Sequence, residues 1–113
     1  MHEMSIAENI REIINDQALK HNKDKVAEII IEIGCLSGVE LEALKIAFDF
    51  IKENTIFQDA SIQYNVIKSE AFCKNCQQVF YPENIFDLCP VCNSSDIEIS
   101  KGNELKVKSI TFY

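Results

Sequence analysis

The sequence predicts an α+β fold: two helices packed on a three-stranded sheet, with a small cysteine-bearing lobe inserted before the last strand. Three observations predict it. Two stretches carry apolar residues at helical spacing, Ile6 to Ile14 and Leu41 to Ile51. Three stretches alternate apolar and polar residues with the period of a strand. Between the second and third of these stand Cys73-Lys74-Asn75-Cys76, twelve further residues, and Cys89-Pro90-Val91-Cys92. At 113 residues, of which 47% are hydrophobic, the chain can form one compact unit or a domain with a small subdomain. The expected partition is a discontinuous domain over 1–69, completed by a final strand in 102–113, and an inserted lobe over 70–101.

Ser5 followed by Glu8 reads as a capping box, so the first helix is expected to begin at about Ile6. Ile6, Ile10, Ile13 and Ile14 mark its buried face. The pattern fades through Leu19, and the polar run Asn22–Lys25 is a turn. His21 reads as an exposed residue near the helix C-terminus, where its charged form suits the dipole. Val26–Ile33 is rich in β-branched residues and reads as a strand. Ala27, Ile29, Ile31 and Ile33 point inward, and Glu28, Ile30 and Glu32 outward. Gly34 ends it. Ser37 with Glu40 reads as a second capping box, stapled by Leu36 and Leu41. Leu41, Leu44, Phe48 and Ile51 then face the sheet. Cys35, the odd cysteine, reads as a small buried apolar residue that binds no metal.

Residues 54–60 form a loop, and Ser61–Lys68 is the second strand, with Ile62, Tyr64 and Val66 on one side. Leu105–Phe112 is the third. Its alternation changes phase between Val107 and Ile110, which a bulge near Ser109 would reconcile. Lys106 and Lys108 can lie across from Glu28 and Glu32 if the first and third strands are neighbours.

Each Cys-x-x-Cys turn offers two thiolates to one ion, and four thiolates suit tetrahedral Zn²⁺. Two disulfides, a redox pair and an Fe–S cluster are the competing readings. The doubled short spacing favours a structural zinc-ribbon-like site, closed to substrate by its four protein ligands: Cys73, Cys76, Cys89 and Cys92. The apolar residues of this lobe are too few for an independent core, so the metal is expected to supply its folding free energy.

His2 occupies a second candidate site. The α-amino group, the peptide nitrogen and the imidazole of a second-position histidine can reach one ion, and such nitrogen donors suit Ni²⁺ or Cu²⁺. Any second-position histidine meets this description, and an unstructured terminus is the bland alternative. No Gly-rich phosphate loop or Ser/His/Asp grouping stands out, and no apolar run approaches the roughly 18 residues that span a bilayer. The opening residues lack a basic stretch followed by an apolar core, so a cytoplasmic location with reduced thiols is expected. A net charge of −7 argues against phosphate-rich partners.

Four segments together resemble the HypA/HybF family of nickel metallochaperones: Met1-His2-Glu3-Met4-Ser5; the run Glu32–Glu40 with Ala43-Leu44 and Phe48; the paired Cys-x-x-Cys; and Gly102–Lys108. They fall in the expected order along the whole chain. The paired cysteines alone are common to many zinc ribbons, whereas their combination with a Met-His-Glu start is specific. The resemblance implies Ni²⁺ binding by Met1, His2 and Glu3, assisted by the acidic Glu40 where some members carry Asp. It implies Zn(II) as structural cofactor, Ni(II) as transported cargo, and no enzymatic activity. The implied partners are the GTPase HypB and the hydrogenase large-subunit precursor, with urease maturation served in some species, and no nucleic acid or membrane. A monomer or weak homodimer is expected.

Two other classes compete. A zinc-ribbon module binding nucleic acid or a transcription complex would need positive charge, yet residues 70–101 carry a net −3. A thiol oxidoreductase using Cys73 and Cys76 would need an exposed thiolate at a helix N-terminus. Two matched pairs on one metal argue against it.

Overall fold

The computed structural model describes residues 3–113. In chain order the elements are α1 (Glu3–Lys20), β1 (Val26–Gly34), α2 (Leu41–Ile51), β2 (Ser61–Ile67), β3 (Glu70–Cys73), β4 (Val79–Phe80), β5 (Ile97–Lys101) and β6 (Leu105–Phe112). The strands form two three-stranded sheets, ordered β2-β1-β6 and β4-β3-β5. The second lies within the chain between β2 and β6, so the cysteine segment is an insertion, as its position between alternating stretches predicts.

In the first sheet β1 pairs parallel with β2, from Glu28 opposite Ser61 to Gly34 opposite Ile67. The connection between them is α2, the usual crossover for a parallel pair. On its other side β1 pairs antiparallel with β6, with two register shifts. Ile30 faces Ser109 and Ile31 faces Val107, which leaves Lys108 as the extra residue of a bulge. The bulge lets Leu105, Val107, Ile110 and Phe112 all pack against the same core despite their change of phase. It also moves Lys108 away from the acidic residues of β1. Lys106 meets Glu32 at 3.4 Å, but Glu28 faces Thr111. The second shift, between Val26 and Glu28, buries Val26 and leaves Ala27 only half-buried, contrary to the simple alternation.

The core joins Ile6, Ala7, Ile10 and Ile14 of α1, Val26, Ile29, Ile31 and Ile33 of β1, and Leu44, Ala47, Phe48 and Ile51 of α2. Phe57, from the loop before β2, is fully buried in it, and no periodicity marks that residue in advance. Ile13 is 45% exposed, because the buried stripe of α1 runs through Ala7 and Ala18 instead. Both helix starts differ from expectation. α1 begins at Glu3, so Ser5 lies exposed inside its first turn and caps nothing. Glu3 and Met4 are good helix formers, and a carboxylate suits the positive end of the dipole. α2 begins after Glu40, which is itself the N-cap. Ser37 forms a turn instead: its N–H donates to Gly34 O at 3.0 Å and its Oγ accepts from Val39 N at 3.3 Å.

The two sheets meet at a clip built on Gly34. Gly34 N donates to Glu104 O (2.6 Å), Cys35 N to Ile67 O (3.0 Å) and Leu36 N to Gly102 O (2.7 Å). These bonds hold both strands of chain that lead into and out of the insertion. Gly102, at φ +117°, packs on Ser69, and its N–H donates to Glu104 Oε1 at 2.7 Å. Ser69 Oγ in turn donates to Pro82 O of the inserted segment. The molecule is elongated, 53 × 26 × 17 Å. Among the described residues no helix is long and apolar enough to cross a membrane.

Candidate metal centres

The four cysteines predicted from spacing converge. One sulfur from each of Cys73, Cys76, Cys89 and Cys92 lies within 4.8 Å of all the others. Cys73 Sγ is 3.5 Å from Cys92 Sγ, and Cys76 Sγ is 3.6 Å from Cys89 Sγ. A disulfide needs about 2.05 Å, so these are four thiols. Sulfurs about 2.3 Å from a tetrahedral Zn²⁺ stand about 3.8 Å apart, close to the observed spacing. The donor set is all sulfur, closed, and fits a zinc site.

Two equivalent turns make this possible. Gln77 N donates to Cys73 O and Asn93 N to Cys89 O, both at 2.8 Å. The residues after each pair, Gln77 and Asn93, have φ of 59° and 60°. Cys73 N then donates to Gln78 O (2.9 Å) and Cys89 N to Ser94 O (3.1 Å). The doubled sequence motif is thus a doubled backbone motif, each copy curling its two thiols to one side. Cys73 and Cys89 are buried, whereas Cys76 and Cys92 are half-buried at the rim.

The surroundings divide the thiols. A hydrogen bond from Asn75, then one from the backbone of Ser94, lowers Cys92 to about 6; the Asn75 Nδ2 to Cys92 Sγ distance is 3.4 Å. Cys89 is also lowered, first by backbone hydrogen bonding from Cys92. Desolvation, then hydrogen bonding to the neighbouring sulfurs, pushes Cys76 up to about 12. Four sulfurs this close favour full ionisation only around a cation, so metal binding here releases protons.

The other candidate set is only partly within the described residues. Met1 and His2 lie outside them. Glu3, which opens α1, places Oε2 3.5 Å from the backbone nitrogen of Glu40, where it accepts a long hydrogen bond. Glu40 caps α2, its Oε2 accepting from Ala43 N at 2.7 Å. The starts of both helices, and both candidate carboxylates, therefore come together. The sequence placed Glu40 three residues into a helix; its own capping role was hidden by the stronger Ser37 signal.

Cys35 is exposed rather than buried, and is not part of the sulfur cluster. It sits at the mouth of a cavity of about 620 Å³ between the two sheets, with Lys68, Ser69, Tyr81, Pro82 and Glu83. The clip at Gly34 turns it outward by engaging its backbone. His21 is exposed just past α1, its ring 6.2 Å from that of Phe112.

The chain matches the family described as "Hydrogenase/urease nickel incorporation, metallochaperone, hypA" over residues 1–112. It is 40% identical over 110 residues to the hydrogenase maturation factor HypA of Legionella pneumophila strain Lens, covering 97% of each chain. The protein of that name from Parabacteroides distasonis is also 40% identical over 110 residues, covering 97% of this chain and 96% of its own. The solution structure of the Ni metallochaperone HypA from Helicobacter pylori superposes with a TM-score of 0.73 at 27% identity, covering 99% of this chain and 97% of that one.

Proposed function

The chain belongs to the HypA family of hydrogenase/urease nickel-incorporation metallochaperones, and from that premise we propose that it binds Ni(II) through Met1, His2 and Glu3, with Glu40 beside them, and delivers it to an apo-hydrogenase. The family consists of maturation factors rather than enzymes. The observation that carries the site assignment is the contact of the Glu3 carboxylate with the backbone of Glu40. Two residues of chain span at most about 7 Å, so the α-amine and the His2 imidazole are tethered to that carboxylate pair. The peptide nitrogens and imidazole supply in-plane donors suited to Ni²⁺. Glu40 orients the terminus or supplies an outer carboxylate. In this reading 1–69 with 102–113 is the nickel-binding domain and 70–101 the zinc-binding one, with Zn(II) structural on Cys73, Cys76, Cys89 and Cys92. HypB and the hydrogenase large-subunit precursor are the proposed partners, in the cytoplasm.

One titration tests the site. Ni²⁺ is added to zinc-loaded protein with its native N-terminus, to His2→Ala, and to protein extended by a few residues before Met1. Tight binding with a planar-site spectrum is expected for the first alone. Equal affinity and an equal spectrum in the extended protein would remove the α-amine from the ligand set.

A further inference from the structure

The inserted lobe has a small core and leaves several large apolar side chains exposed. Its own core is Ala71, Cys73, Phe80 and Cys89, with the other two cysteines, Ile97 and Ile99 packed against it. By contrast Phe86 is 88% exposed, Tyr81 72% and Val91 69%. Large apolar side chains left in water this way mark interaction surfaces. Part of this set is organised: Ile85, Phe86 and Leu88, from the segment before the second cysteine pair, line one hollow of about 190 Å³ with Ile97 and Ile99 of β5. Asp87 and Ser95 complete its lining. The segment is held in shape, because Asp87 Oδ2 accepts from Glu83 N at 2.8 Å and Asn84 N at 3.1 Å.

The lobe that holds the hollow is acidic, with a net −3 over residues 70–101. Asp87 lines the hollow and Asp96 stands between the lining residues Ser95 and Ile97, while Lys101 is engaged by Glu70 at 3.9 Å. That leaves Lys74 as the one unpaired base of residues 70–101. Four thiolates outweigh one divalent ion, so a loaded zinc centre stays anionic as well. We infer that the hollow between β5 and Ile85–Leu88 is a docking site for a partner protein segment that presents apolar side chains flanked by Lys or Arg. A second copy of this chain, at a net charge of −7, is repelled from it, as are nucleic acids and anionic membranes. Apolar burial supplies the affinity here and the acidic rim the selectivity for sign. None of the proposed nickel ligands lines the hollow.

The test uses the full zinc-loaded chain and two labelled amphipathic peptides, one of Leu and Lys and its counterpart of Leu and Glu, followed by fluorescence anisotropy. The Leu/Lys peptide is expected to bind and the Leu/Glu peptide not to. Phe86→Ser, at a side chain too exposed to matter for folding, should weaken binding at least about tenfold. Asp96→Lys should weaken it too and flatten its salt dependence. Ile46→Ser, at a 70%-exposed apolar residue on α2 outside the inserted lobe, is the control and should change nothing. Failure of the Leu/Lys peptide to bind, equal binding of both peptides, or an equal loss in Ile46→Ser overturns the proposal. So does self-association of the native chain, by sedimentation, that Phe86→Ser abolishes, since a second copy is then the occupant.

Discussion

Replacing Gly34 by Ala should destabilise the helical lobe far more than one methyl group suggests. A Cβ built at Gly34 collides with the carbonyl carbon and oxygen of Gly102 and stands 2.6 Å from Glu104 N. All three neighbours are backbone, so no side chain can swing aside. The segment 102–104 must move, and with it go two hydrogen bonds, Gly34 N to Glu104 O and Leu36 N to Gly102 O. Each contributes about 1 kcal/mol net, and more if a group is left buried without a partner. With the displaced end of the β6 ladder, the loss is on the order of 2–4 kcal/mol, a large share of the roughly 5–15 kcal/mol that holds a domain. Melting followed by helical circular dichroism should fall by on the order of 10–20 °C. Gly38→Ala is the comparison: nothing lies within 4 Å, and only φ of +79° opposes a side chain. It should cost about 1 kcal/mol. Zinc content should stay unchanged in both, because neither glycine contributes to the sulfur cluster. A Gly34→Ala protein that melts with the native one, or no lower than Gly38→Ala, would refute the close packing described for the clip.

Cys76→Ser should abolish stoichiometric zinc retention, measured by metal analysis after dialysis, while helical circular dichroism persists, because the two clusters of buried residues are separate. Cys35→Ala should leave zinc content unaltered and remove the one thiol of the loaded protein that reacts rapidly with Ellman's reagent. Glu40→Ala should cost about 1 kcal/mol as a lost cap and also weaken Ni²⁺ binding, whereas Glu40→Ser should recover the melting temperature alone; recovery of both would make Glu40 a cap only. Burial, then the nearby Asp49 charge, raises Tyr64 to about 12. Its phenol ionises at about 10 in the unfolded chain, so its contribution to stability is intact below pH 10 and is lost as pH climbs toward 12. A near-ultraviolet phenolate titration should show a high-pH component that Tyr64→Phe removes.

Most of this architecture could be read from periodicity because each sheet face has one job. Ile29, Ile31 and Ile33 alternate with Ile30 and Glu32 as a half-covered strand must. The phase change from Val107 to Ile110 betrayed the bulge, since a slipped register would otherwise turn Ile110 and Phe112 to water. The four thiols were legible because metal geometry constrains spacing along the chain as well as in space. Helix starts were harder. Ser5 and Ser37 both satisfy the capping-box pattern, but a pattern of two residues cannot say whether the turn before them continues. Glu3 and Met4 extend α1 upstream; the left-handed Gly38 delays α2 until Glu40. Cys35 was missed for a related reason. Its side-chain chemistry favours burial, yet its exposure follows from long-range backbone bonds to Ile67 and Gly102 around the clip, and no local window contains them.

The two metal centres differ in the way their proposed roles require. Cys73 and Cys89 are buried and fixed by matched backbone turns, and four donors arrive from two well-separated segments of chain. Removing an ion from such a cage means unfolding the lobe around it, which suits a metal that stays. The proposed nickel donors are instead consecutive residues, of which Glu3 opens α1 and meets the backbone nitrogen of Glu40 at 3.5 Å. They can close around an ion through their own chelate rings and reopen one donor at a time, with both cores untouched. A cargo site needs that property, because a partner that takes the ion must displace its ligands in sequence. Glu40 stands at a helix start, where the cap holds its carboxylate by Oε2; in the proposed site this makes it a fixed acceptor for the nickel-bearing segment. Lengthening the chain before Met1 should therefore speed nickel release as well as weaken binding, while leaving the rate of zinc loss to a chelator unchanged. Parallel changes in both rates would mean that the two centres share one opening motion.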